Sequence, residues 1–193
     1  MVFPAKKPAT YQDVIDAPPN MVAEILDGDL NLSPRPASGH VFVSSGVGGD
    51  LSNPFQRGRG GPGGWWILDE PEIHLGPDVL VPDLAGWRKE RMPEFPDVAW
   101  FDLRPDWVCE VLSPSTRRID LVKKARIYAR AGVPWLWFAD PVARVVEVRE
   151  LRDGQWLIQQ TADGTEPVRL PPFDAIELNP ADWFPPEQGS TPG

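Results

Sequence analysis

The stretch WVCEVL, residues 107–112, places a carboxylate in the middle of an apolar run. Its other residues show no alternation between apolar and polar types, which is typical of a strand buried on both faces. A carboxylate that is removed from water destabilises the fold by several kcal/mol unless a partner compensates its charge. Glu110 therefore needs a cation or a set of hydrogen-bond donors.

A second carboxylate, Asp83, lies in the similar run VLVPDLAGW, residues 79–87. Two carboxylates in neighbouring buried strands repel each other and raise each other's pKa. A divalent cation removes this repulsion, and oxygen ligands are those that Mg²⁺ and Mn²⁺ prefer. The alternative is that one acid caps a turn or pairs with an arginine. For two acids so placed, we favour the metal.

The segment after Glu110 predicts a helix. SPST offers Ser115 or Thr116 as the N-cap, and Gly132 is a natural C-terminal stop. Apolar residues follow helical spacing from Ile119, and a stripe beside them carries Asp120, Lys124 and Tyr128. An ammonium group on this stripe can stabilise the charge that develops on phosphorus during phosphodiester hydrolysis. The alternative is a solvated Asp120–Lys124 pair, which periodicity alone favours.

The remaining elements must position these side chains. Asp27-Gly28 and Asp153-Gly154 each predict the turn of a β-hairpin. WWILDEPEIHLG and VLVPDLAGW each predict one strand, and FDAIEL predicts a short one. WLWFAD, residues 135–140, predicts the strand after the helix, which makes the helix a right-handed crossover. Glycines weaken the prediction of a helix over residues 40–52. The expected fold is α+β (α/β), a mixed β-sheet flanked by helices, with N-terminal and C-terminal β-hairpins.

The length and the net charge of the chain limit which functions are possible. The 193 residues suit one domain, expected over 1–185, with a flexible tail over 186–193. The net charge of −9 argues against a nonspecific nucleic-acid binder, although residues 117–130 carry six basic side chains against one acid. No apolar run reaches the length of a membrane helix, and the N-terminus lacks the apolar core of a secretory signal. A single cysteine, Cys109, suits a reducing compartment, so we expect a cytoplasmic protein.

Several motifs, in order along the chain, resemble one family of nucleases. They are VPD at 81–83, CEVLSPST at 109–116, D-x-x-x-K-x-x-x-Y at 120–128, AGV at 131–133 and WFADP at 137–141. EILDGDL at 24–30 and SPRPASGH at 33–40 are similar to the N-terminal signature of the same family. It is the Uma family of putative restriction endonucleases, which belongs to the PD-(D/E)xK nuclease superfamily.

The resemblance implies a restriction-endonuclease-like core in which Asp83 and Glu110 bind the metal, together with the backbone carbonyl of Val111. The superfamily places its lysine two residues after the glutamate, where this chain has Leu112. The family supplies a lysine from the following helix instead. Lys124 matches that position, and the adjacent Lys123 is the competing choice. The resemblance and the helical stripe also suggest four auxiliary residues: Glu24, His40, Asp120 and Tyr128.

The implied activity is hydrolysis of phosphodiester bonds by an endonuclease that requires Mg²⁺ or Mn²⁺, with nucleic acid, and DNA in particular, as its substrate. Arg117, Arg118 and Arg126 are the candidates for contacts with backbone phosphates. A homodimer is expected, because two active sites suit a double-strand cut. The alternative function is that of a catalytically silent nuclease-fold protein used for binding or assembly.

Overall fold

The structure is a computed structural model and describes residues 7–186. Its helices are α1 (Tyr11–Ile15), α2 (Ser38–Leu51) and α3 (Ala125–Ala131), with π-helical turns at Ser52–Gln56 and Ile119–Lys124 and a 3-10 helix at Pro180–Trp183. Its strands are β1 (Met21–Leu26), β2 (Asp29–Pro34), β3 (Trp65–Asp69), β4 (Ile73–Leu75), β5 (Asp78–Leu80), β6 (Leu84–Arg88), β7 (Trp107–Val111), β8 (Trp135–Asp140), β9 (Val145–Arg152) and β10 (Gln155–Ala162). The predicted tail, apart from Pro186, lies outside the described residues.

The strands form two sheets. The smaller sheet is antiparallel, in the order β2-β1-β5-β4, and the larger one has the order β10-β9-β8-β7-β6-β3. In the larger sheet only β7 and β8 run parallel, and the helical segment from Ile119 to Ala131 connects them. The predicted α+β fold with a mixed sheet, its crossover helix and its two hairpins are all confirmed.

Two strand predictions were wrong in extent. WWILDEPEIHLG forms β3 and β4, which separate at Glu70 in a left-handed conformation (φ 44°) followed by Pro71. VLVPDLAGW likewise supplies β5 and β6, and Pro82 lies in the gap between them. Each predicted strand therefore divides between the two sheets. FDAIEL forms no strand, because its only ladder contact is a single bridge between Val168 and Leu178.

The larger sheet carries an apolar cluster on each face. Side chains alternate along β7, so that Trp107, Cys109 and Val111 enter the cluster beneath α2. Val108 and Leu112 enter the cluster beneath α3. The same alternation turns Glu110 toward α3. Most of the tryptophans, including Trp107 and Trp137, belong to this core.

Helix α2 forms in spite of its glycines, because two of them permit close packing. A Cβ on Gly46 would lie 3.1 Å from the Cα of Trp183. A Cβ on Gly48 would lie 3.1 Å from a carboxylate oxygen of Asp69. The loss of helix propensity at these positions is offset by contact between α2 and the core. Within residues 7–186, no helix combines the length and the hydrophobicity needed to cross a membrane.

Two glycines of α2 provide a matched test of this packing. Gly46→Leu should lower the free energy of unfolding by about 1–3 kcal/mol, because the new side chain meets the backbone of Trp183. Gly49→Leu should leave it unchanged or raise it by up to about 1 kcal/mol, since no atom lies within 4 Å of a Cβ at Gly49. Urea denaturation of both variants gives the comparison. Equal stabilities would contradict the packing described for Gly46.

Candidate active site

Glu110 is almost completely buried, with an exposed fraction of 1%, and two side chains of the crossover segment contact its carboxylate. Lys124 Nζ lies 2.8 Å from Oε1 and 2.9 Å from Oε2. The hydroxyl of Tyr128 donates a hydrogen bond of 2.6 Å to Oε1. These contacts supply the compensation that a buried carboxylate requires.

The crossover segment brings these partners to one face. Lys124 ends the π-helical turn and Tyr128 lies four residues later in α3, so their side chains lie one above the other. Asp120 is also buried, and its carboxylate interacts with Lys124. π-Helical turns occur often at functional sites. The predicted stripe is therefore real, but it faces the sheet rather than solvent.

Lys124 also joins the two sheets. Its Nζ lies 3.0 Å from Oε1 of Glu24 in β1 and donates a hydrogen bond of 3.2 Å to the carbonyl of Val81. The same Oε1 of Glu24 accepts the Val81 amide hydrogen at 2.9 Å. Glu24, Glu110 and the backbone at Val81 thus surround one ammonium group.

Asp83 is held at the end of β7 by two contacts. Its Oδ2 accepts the amide hydrogen of Val111 at 2.7 Å, and its Oδ1 lies 2.5 Å from Nε2 of His40 in α2. Asp83 directly precedes β6, whose antiparallel register with β7 begins where Leu84 faces Cys109. Pro82, the residue before Asp83, has no amide hydrogen to donate to a neighbouring strand.

These side chains line a single cavity of about 290 Å³. Its wall contains the carboxylates of Glu24, Asp83, Glu110 and Asp120, together with His40 and Lys124, and an ion pair of Arg35 with a fifth carboxylate, Glu70, lies at its exposed side. Apart from the Arg35–Glu70 pair, four carboxylates face one lysine ammonium, so the cavity carries more potential negative charge than that ammonium can neutralise. A bound cation would neutralise the remaining negative charge.

The pKa shifts reflect this crowding. Burial raises the pKa of Asp120 to about 6, and the nearby ammonium of Lys124 opposes the rise. Burial also raises the pKa of Glu110, again opposed by Lys124. Burial alone would lower the pKa of Lys124, but Glu110 and Glu24 together raise it well above its ordinary value. Lys124 is therefore charged at neutral pH.

The other predicted residues lie elsewhere. Lys123 points toward Asp29, at 3.9 Å, and its side chain is 36% exposed, so only Lys124 reaches the carboxylates. Arg117 forms an ion pair of 2.5 Å with Asp140, and Arg126 pairs with Asp27. Arg118 is exposed and has no carboxylate partner within residues 7–186.

One arginine at the cavity escaped the sequence prediction. Arg35 lies beside Glu70, at 3.6 Å, and both residues are exposed while lining the cavity. Arg35 belongs to the segment SPRPASGH, whose His40 was selected for its position in a motif. Arg35 could have been found from its position close to His40 in the sequence, because the two residues lie on either side of the start of α2.

Comparisons with known proteins identify a family and a fold. The family model Uma2, described as "Putative restriction endonuclease", matches residues 8–181. A solved structure of a putative nuclease belonging to DUF820, from Anabaena variabilis ATCC 29413, matches with a TM-score of 0.73 and 22% identity. The match covers 92% of this chain and 98% of that one, and at this identity it establishes the fold. No curated protein matches the sequence.

The adjacent lysines provide a matched test of the buried cluster. Lys124→Met should lower the free energy of unfolding by about 3–5 kcal/mol at neutral pH, because it leaves buried carboxylates unpaired. Lys123→Met should lower it by less than about 1 kcal/mol, because an exposed pair contributes little. Guanidinium denaturation, followed by tryptophan fluorescence, measures both. Similar losses in the two variants would contradict the assignment of Lys124 as the buried counter-ion.

Proposed function

Since the chain belongs to the Uma2 family of putative restriction endonucleases, we propose that it is a metal-dependent nuclease that hydrolyses phosphodiester bonds in DNA. The observation that carries this proposal is the convergence of Asp83 and Glu110 on one cavity beside the buried ammonium of Lys124. A carboxylate pair with an adjacent ammonium suits a reaction in which negative charge develops on a phosphate.

The residues present fit a divalent cation. Within residues 7–186, no group of three or more histidine, cysteine, aspartate or glutamate side chains is arranged to hold a metal. The proposed ligands are instead two carboxylates, of Asp83 and Glu110, and the carbonyl of Val111. Mg²⁺ is commonly bound by one or two carboxylates, with water and substrate phosphate completing its shell. Each carboxylate oxygen has two lone pairs, so the contacts described above leave acceptor capacity at Asp83 and at Glu110.

Mg²⁺ or Mn²⁺ bound by these ligands would neutralise charge on the scissile phosphate and lower the pKa of a water molecule. The chain's own residues orient the site. Tyr128 fixes Glu110 through its hydrogen bond, and His40 and the Val111 amide fix Asp83. These contacts hold both carboxylates in place before substrate arrives.

We assign Lys124 the stabilisation of charge on the phosphate. Of its contacts, the one to the Val81 carbonyl is the longest, at 3.2 Å, and it is the contact that a phosphate oxygen would replace. Glu110 and Glu24 would keep the ammonium in position during that exchange. The homodimer, the cytoplasmic location and the phosphate contacts of Arg117, Arg118 and Arg126 stay predictions from the sequence.

The direct test is cleavage of circular DNA, both duplex plasmid and single-stranded, in Mg²⁺, Mn²⁺ or EDTA. Wild type should cleave only with metal. Glu110→Gln and Asp83→Asn should each reduce the rate by about 100-fold or more, because each removes a charged ligand of the proposed metal. Lys123→Met is the control and should retain the wild-type rate. Circular dichroism of every variant verifies its fold.

Two outcomes would contradict the proposal. Cleavage that survives in Glu110→Gln would point to a contaminant or to a different site. The absence of cleavage of either DNA form, with every protein folded, would favour the nuclease-fold binding protein instead.

A further inference from the structure

The groups proposed to carry out hydrolysis lie deep in the protein. Glu110 has an exposed fraction of 1% and Lys124 one of 3%, and both line the bottom of the cavity. Its exposed lining residues, which form the opening, are Pro34, Arg35, Ala37, Glu70, Pro114 and Ser115. The volume of about 290 Å³ is at the lower end of the range for ligand-binding pockets. Only a short piece of a polynucleotide backbone fits within it.

The form of the nucleic acid decides whether its backbone can enter. A duplex is a stiff rod with a persistence length of about 50 nm, and bending or kinking it is energetically unfavourable. Its phosphates lie on the outer surface of that rod. A single strand bends freely, so one phosphodiester can enter a narrow cavity while its neighbours remain outside.

The charges around the opening also suit a single strand. Duplex-binding proteins neutralise many phosphates with lysine and arginine side chains. Among the described residues that line this cavity, the only lysine and arginine are Lys124 and Arg35. Arg117 and Arg126 are engaged by Asp140 and Asp27. Within residues 7–186, the only ion pair of Arg35 is a long, exposed one with Glu70, so a phosphate can readily replace that carboxylate.

An exposed aromatic ring lies beside the opening. A shallow groove shares Pro36 with the cavity and contains Val41 and Phe42 of α2. The Phe42 side chain is well exposed, with 45% of the residue accessible to solvent. Unpaired bases stack on such rings regardless of sequence, whereas the bases of a duplex are already stacked on one another.

We infer that the substrate is single-stranded DNA, with one phosphodiester in the cavity, an adjacent phosphate on Arg35 and a nearby base stacked on Phe42. This inference rests on the proposed nuclease function and specifies its substrate. It also agrees with the net charge of −9, since stacking contributes affinity that does not depend on a large basic surface.

The experiment compares one labelled oligonucleotide as a single strand and annealed to its complement. Cleavage is measured with Mn²⁺, and affinity by fluorescence anisotropy with Ca²⁺ replacing Mn²⁺. The single strand should be cleaved about tenfold faster or more, and Phe42→Ala should weaken its binding about tenfold. The matched control is Phe95→Ala. Phe95 is 49% exposed and lines neither the cavity nor the groove, so this change should leave affinity unaltered.

The outcomes separate this inference from the proposed function. Duplex cleavage as fast as single-strand cleavage, or equal binding by the two phenylalanine variants, would overturn the inference and leave nuclease activity standing. If neither form is cleaved, the proposed function fails, and the anisotropy still decides the ligand. Tighter binding of the single strand, lost in Phe42→Ala, then supports the inference, and tighter binding of the duplex overturns it.

Discussion

The buried carboxylate of Glu110 places a constraint on the packing of every element around it. Its strand, β7, lies in the interior of the larger sheet, so compensation has to come from side chains above that sheet. The crossover segment supplies Lys124 and Tyr128, and Lys124 in turn fixes Glu24 of the smaller sheet. One ammonium group therefore couples the two sheets and the crossover. Loss of a partner leaves a largely buried charge without compensation.

The compensation remains incomplete, and the remaining negative charge suits the proposed metal-dependent chemistry. Apart from the exposed Arg35–Glu70 pair, four carboxylates line the cavity with a single lysine ammonium, and burial raises the pKa of Asp120 to about 6. A fold selected for stability alone would be expected to replace such a cluster with apolar side chains, which are often at least as stabilising. Uncompensated carboxylates beside a fixed ammonium are instead suited to binding a cation and a phosphate together.

Local signals in the sequence were sufficient for much of the fold and for the centre of the site. Asp-Gly turns fixed both hairpins, and helical spacing that ended at Gly132 fixed the crossover. Burial of Glu110 followed from its apolar neighbours, whereas Asp83, in a similar apolar run, is only half-buried and lies between β5 and β6. The breaks at Glu70 and Pro82 were missed, because a strand that changes sheets has the same local pattern as one that continues. The ion pairs of Arg117 and Arg126 join distant segments, so no local pattern reports them.

Calorimetric titration with Mn²⁺ tests the central claim most directly, namely that Asp83 and Glu110 form a cation site beside Lys124. The wild-type protein should bind Mn²⁺ at one site, with release of protons from the crowded carboxylates. Asp83→Asn should weaken that binding at least about tenfold. Even the loss of a residue that only orients a metal ligand weakens metal affinity by about 10–100-fold. Asp174→Asn, which changes an exposed acid outside the cavity, should bind as wild type does. Binding that is absent from the wild type, or equal in Asp83→Asn, would contradict the claim.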